Sequence, residues 1–136
     1  MSPSIIVHGD QYEQFRDTDL HALLSVMDYL ASLDPAEYGV AIEVLAAWVA
    51  SARDSGNNAI DLNLGLLLSP FHCKRMIALM VRLEDHISQH WPEGVPAEIG
   101  NRVREYTPLS HWPAAHILAS SVRLRSLIER TVCNES

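Results

Sequence analysis

The chain has 136 residues, of which 48% are hydrophobic and 20% charged, a size and composition that suit one folded core and exclude the apolar-poor, highly charged pattern of disorder. The net charge of −7 argues against a dedicated nucleic-acid binder, which carries a clear basic excess. Two cysteines, Cys73 and Cys133, are too few for the stapled framework of a small secreted domain, MSPSIIVHGD has neither the basic start nor the apolar run of a signal peptide, and no stretch approaches a membrane span, so a cytoplasmic protein without a membrane partner is expected.

Residues 1–136 read as a single helical domain opened by an N-terminal arm, 1–15, in which Ser4 to His8 is strand-like. Asp17 or Thr18 can cap a helix over 17–33, because Leu20, Leu23, Leu24, Met27 and Leu30 recur at three- and four-residue spacing on one stripe. Asp34-Pro35-Ala36-Glu37 then has the grammar of a new helix start: a cap, a proline at the first helical position and an acid at the third. The helix it opens, 35–53, carries Tyr38, Ile42, Leu45 and Val49 inward and is closed by the turn residues Ser55-Gly56-Asn57-Asn58. So short a link makes the first two helices a hairpin.

Residues 59–68, AIDLNLGLLL, alternate as a strand would, yet Asn58 and Asp61 look like helix-start residues. A strand here would need a partner, and Ser4 to His8 is the only other strand-like run; a short, fully buried helix is the expectation. Ser69-Pro70 opens the next helix, which carries Phe71, Ile77, Met80, Val81, Leu83 and Ile87 and runs to about Gln89. Residues 92–96 are a loop. Pro96-Ala97-Glu98 opens a short helix through Arg104 with Ile99 and Val103 inward, and Thr107-Pro108 closes it. Ser110 stands as a cap before a last helix over 114–131 carrying Ile117, Leu124 and Ile128. The expected fold is therefore all-α or mostly α: a compact bundle of five or six helices, with or without a short N-terminal strand.

The triplet His-Trp-Pro occurs twice, at 90–92 and 111–113. Proline disfavours the helical conformation in the residue before it, so the first triplet leaves a helix, whereas the second enters one. The surroundings do not match, which rules out a duplicated unit. Each tryptophan is expected to anchor a loop, with its indole N–H as a polar handle; the alternative is a solvent-facing aromatic pair that serves an interface.

Chemistry has three candidate locations. His86 and His90 are four apart on one helix face, where two imidazoles can reach one metal and His111 or His116 could add a third ligand, but no His-Glu-x-x-His accompanies them. Cys73 lies in the first turn after Ser69-Pro70, where the helix dipole favours a thiolate, yet its neighbour His72 points a quarter-turn away and makes a poor base for it. Arg102, Arg104, Arg123, Arg125 and Arg130 give the C-terminal part a basic character suited to phosphate contacts; the plain alternative is a solvated face with Glu105 and Glu129 as partners. With no phosphate loop, nucleophile elbow or dinucleotide fingerprint, no catalytic residue, metal or cofactor is assigned.

Residues 1–68 hold ten acids against two bases, a charge of −8, and residues 69–136 hold seven acids against eight bases, a charge of +1. This asymmetry and the missing motifs lead to a small regulatory, inhibitory or accessory subunit that acts by protein–protein contact. Trp91, Trp112, His90, His111, Arg102, Arg104, Arg123 and Arg130 are its candidate interaction residues. The partner is another protein, with self-association as a two-fold dimer through Ile5-Ile6-Val7 and the Trp91–Trp112 loop. The alternatives are an accessory subunit of a nucleoprotein complex, touching phosphate through the arginine-rich half, and a small thiol or metal enzyme.

Overall fold

The stripe of leucines in the first helix sets the centre of the molecule. In a computed structural model that describes residues 3–55, 59–106 and 111–135, helix α1 spans Asp17–Leu33 and buries Leu20, Leu23, Leu24, Met27 and Leu30. Helix α2 (Pro35–Asp54) returns beside it, as the short link at Asp34 requires. Helix α3 (Pro70–His90) packs on α2, and helix α5 (Ala114–Arg130) packs on α1 and α3, so the long helices enclose one cluster of buried apolar side chains. A one-turn helix α4, Ala97–Gly100, completes five helices among the described residues, and the fold is mostly α with a short two-stranded hairpin at the N-terminus. Among the described residues no helix is long and apolar enough to cross a membrane.

The expected strand at Ser4–His8 forms, but with a different partner. Strand β1 (Pro3–His8) pairs antiparallel with β2 (Gln11–Arg16), its own continuation, rather than with residues 59–68. Gly9 takes φ 63 at the first of two turn positions, a conformation glycine adopts without strain and one that suits a tight hairpin. The supposed arm is thus packed structure: Ser4, Ile6 and Phe15 point inward and are buried.

Residues 59–68 are neither a helix nor a paired strand. A single 3-10 turn, Leu64–Leu66, interrupts an otherwise extended run in which Ile60, Leu62 and Leu64 are buried while Asp61, Asn63 and Gly65 face out. The alternation is real, and side chains do the work of a neighbouring strand. The Ser4 hydroxyl accepts from Ile60 N at 2.8 Å, the Ser51 hydroxyl donates to Asp61 O at 2.7 Å, and Trp48 Nε1 donates to Asn63 O at 3.2 Å. Buried backbone groups need partners, and these serve the segment without a ladder.

Cap details also differ from expectation. Arg16, not Asp17 or Thr18, is the cap residue of α1, and it makes no side-chain cap bond. The Asp17 carboxylate instead accepts from the Ser4 hydroxyl, which ties the hairpin to α1. Asp34 caps α2 without a side-chain bond and faces Arg82 at 3.6 Å; α2 kinks at Gly39, where φ is 28. Ser69 caps α3 as expected, accepting from His72 N at 3.3 Å, but Phe71 and Val81 are exposed. Helix α4 stops at Gly100, short of the expected Arg104, although Val103 is buried. The turn at 56–58, the stop at Thr107-Pro108 and the cap Ser110 lie outside the described residues.

Candidate functional site

The second His-Trp-Pro segment meets the loop that follows the first. Strand β3 (Val95–Pro96), within the expected loop, pairs antiparallel with β4 (His111–Trp112), setting Val95 opposite Trp112 and Pro96 opposite His111. Trp91 caps α3 as the proline after it dictates, its N–H bonding Ile87 O at 2.9 Å, and α5 begins just after Pro113. Trp112 is buried: its Nε1 donates to Asn101 Oδ1 at 3.0 Å, and its ring meets Tyr106 edge-on at 5.4 Å. An alanine Cβ at Gly100 would lie 2.0 Å from Trp112 Cδ1, so only glycine lets the ring seat there. Trp91 is half-buried, 6.0 Å from the Tyr29 ring and 4.6 Å from the His86 ring. Of the expected interaction pair, Trp112 therefore faces the core and is no surface contact, while His90 and His111 remain exposed.

The His86 and His90 rings lie tilted to one another with centroids 4.5 Å apart, and burial, then the neighbouring His90 and Arg82, hold the His86 imidazole below its ordinary pKa. Among the described residues no three His, Cys, Asp or Glu side chains are grouped to hold a metal ion. Cys73 is 2% exposed, and His72 turns its Nδ1 to the Ser69 hydroxyl at 2.7 Å, away from any role as a base for the thiol.

Three of the candidate arginines, Arg102, Arg123 and Arg130, are engaged by acids of the N-terminal half. Arg102 reaches Asp28 at 2.9 Å and lies over the Tyr29 ring. Arg123 bonds Glu13 at 3.0 Å and the carbonyl of Gln14 while covering Phe15; Arg130 approaches Glu13 at 3.4 Å. These bonds, that from Arg123 foremost, hold the Glu13 carboxyl below the usual range. Arg104 covers Tyr106. Arg125 grips Glu84 with two bonds, at 2.9 and 3.0 Å, and Ser121 donates to the same carboxylate. Several of the opposite charges of the two halves thus meet inside one chain.

What the fold does leave open is the outer face of the hairpin. Register places Val7 opposite Tyr12 and Ile5 opposite Gln14. Because side chains alternate, these four share the face turned away from the core. Ile5, Val7 and Tyr12 are 55%, 56% and 62% exposed, while the alternate positions Ser4, Ile6 and Phe15 clamp the other face. The face carries Asp10 at its turn and Arg16 at its base, and Arg16 also lines a shallow cavity of about 390 Å³ with Gln14, Phe15, Asp19 and Arg123. The apolar run Ile5-Ile6-Val7 is visible in the sequence, whereas the contribution of Tyr12 and the inward turn of Ile6 follow from the strand alternation. The signal was Gly9-Asp10 between two alternating segments.

Comparison with protein-family models, with curated proteins and with solved structures finds no match for this chain.

Proposed function

We propose that the protein is a small interaction module, acting as a regulatory, inhibitory or accessory subunit, and that its contact surface is the outer face of the β1–β2 hairpin. The supporting observation is the cluster of Ile5, Val7 and Tyr12, three large apolar side chains more than half exposed on one rigidly held face. Strands present side chains with little conformational freedom left to lose, and aromatic and branched apolar groups dominate the energetics of protein contacts. The occupant we assign first is a second copy of the chain. Two such faces laid together about a two-fold axis across the strands bring Asp10 of one copy against Arg16 of the other, at both ends of an apolar centre. This replaces the orientation by charged halves, since those charges are spent within the chain. The same pairing removes the motive for a phosphate-binding arginine face.

Sedimentation at micromolar concentration tests the reading. Val7→Lys and Tyr12→Lys, both at exposed positions, should give folded monomers where the parent chain dimerises. Asp10→Arg or Arg16→Asp alone should weaken the dimer, and the double exchange should restore it. A parent chain that stays monomeric at every accessible concentration, or lysine variants that sediment like the parent, would overturn the assignment.

A further inference from the structure

Cys73 and Cys133 are the only cysteines in the chain, sixty residues apart. The fold brings them together. Cys73 is in the first turn of α3, Cys133 is in the 3-10 turn Val132–Glu135 that follows α5, and that turn packs on α3. Cys133 is half-buried against the core cluster to which Cys73 belongs, and both are thiols. We propose that this pair is a site of disulfide formation, which a small organic disulfide such as oxidised glutathione drives, and that the bond fastens the last turn of the chain to the start of α3.

The chemistry follows from exposure. Cys73 is sealed in the core, so Cys133 meets the reagent first. Its thiolate attacks one sulfur of the reagent, forming a mixed disulfide and releasing one thiolate. The Cys73 thiolate then attacks the Cys133 sulfur and expels the second. Two protons leave the protein, two electrons pass to the reagent, and one S–S bond replaces another. Burial, followed by a hydrogen bond with the Cys73 thiol, pushes the Cys133 thiol up to about 12. At neutral pH little thiolate is present, so the site is slow to oxidise by reagent alone and gains speed as pH rises.

The test uses the reduced full chain with excess oxidised glutathione. The intact mass should fall by two hydrogens, and trypsin should release residues 54–74 joined to residues 131–136, since cleavage follows Arg53, Lys74 and Arg130. The rate should rise roughly tenfold per pH unit through the neutral and mildly alkaline range, and the oxidised protein should melt roughly 5–15 °C higher because a long loop is closed. Cys133→Ser, at a half-buried position, should abolish the cross-link while keeping the fold. A glutathione adduct that persists on Cys133 without resolving, or a cross-link only between chains, would overturn the proposal; both are read on the parent chain.

Discussion

The Tyr106 hydroxyl donates to His21 Nδ1 across 2.8 Å, from a segment 85 residues further along the chain. The other ring nitrogen, Nε2, faces the carbonyl of Ala52 at 3.4 Å, and a carbonyl can only accept, so Nε2 carries the proton. His21 is therefore buried as a neutral imidazole with both nitrogens served, and burial, the largest influence on it, holds it below its ordinary pKa. The unfolded chain, whose histidine titrates near its ordinary value, takes up a proton first as pH falls. The stability that His21 contributes is thus complete above that value, about 6.5, and is lost as pH drops from there toward the folded value. Denaturant melts at stepped pH should show this loss, and His21→Gln should flatten it. Tyr106→Phe leaves Nδ1 without its donor and should cost about 1–3 kcal/mol.

Two glycines with crowded neighbours should respond differently to alanine. At Gly100 the new Cβ meets the buried Trp112 ring, which cannot retreat without losing its bond to Asn101, so Gly100→Ala should cost about 1–3 kcal/mol and red-shift tryptophan emission. At Gly94 the clash is with the side chain of His111, 2.5 Å away and exposed. That ring can swing into solvent, so Gly94→Ala should cost well under ~1 kcal/mol.

Ion pairs should sort by their surroundings. Glu84 is largely buried and accepts from Arg125 twice and from Ser121 once. Glu84→Ala strands those donors between α3 and α5 and should cost about 2–4 kcal/mol. Glu37, half exposed on Arg75, forms an ordinary surface pair, and Glu37→Ala should cost about 0–1 kcal/mol, less in high salt. Urea melts of the two variants check the contrast.

Ser4 joins three parts of the molecule: it lies on β1, donates to Asp17 on α1 and accepts from Ile60 N. Ser4→Ala should cost about 1–3 kcal/mol by orphaning a buried N–H and a buried carboxylate oxygen. Amide exchange at Ile60 should quicken more than at Leu23, in the middle of α1. Equal protection at both would show that the hydroxyl is not what secures the extended segment.

Much of the architecture was legible because it is local. The leucine stripe of α1, Ser69-Pro70 at the head of α3 and the proline after each tryptophan act on residues within a turn of themselves. The hairpin was legible in principle from Gly9-Asp10, a two-residue turn signal between alternating runs. Residues 59–68 were not, because what decides their shape sits at Ser4, Trp48 and Ser51, and a segment cannot announce which distant side chains will serve its backbone. The partners of the arginines were hidden for the same reason. Charge composition showed that the two halves differ, but not that Glu13 would meet Arg123 and Arg130 more than a hundred residues later.

That last pairing orders events during synthesis. The hairpin leaves the ribosome well before α5, yet Arg123 and Arg130 on α5 bond β2 through Glu13, Gln14 and Tyr12. A two-stranded hairpin is at best marginally stable by itself. Until α5 arrives, the nascent chain carries β1 and β2 without the guanidiniums that hold them, with both faces of the hairpin open to solvent or to a chaperone. The hairpin can reach its final state only once α5 has been made, so a chain cut short before α5 forfeits the hairpin surface as well as that helix.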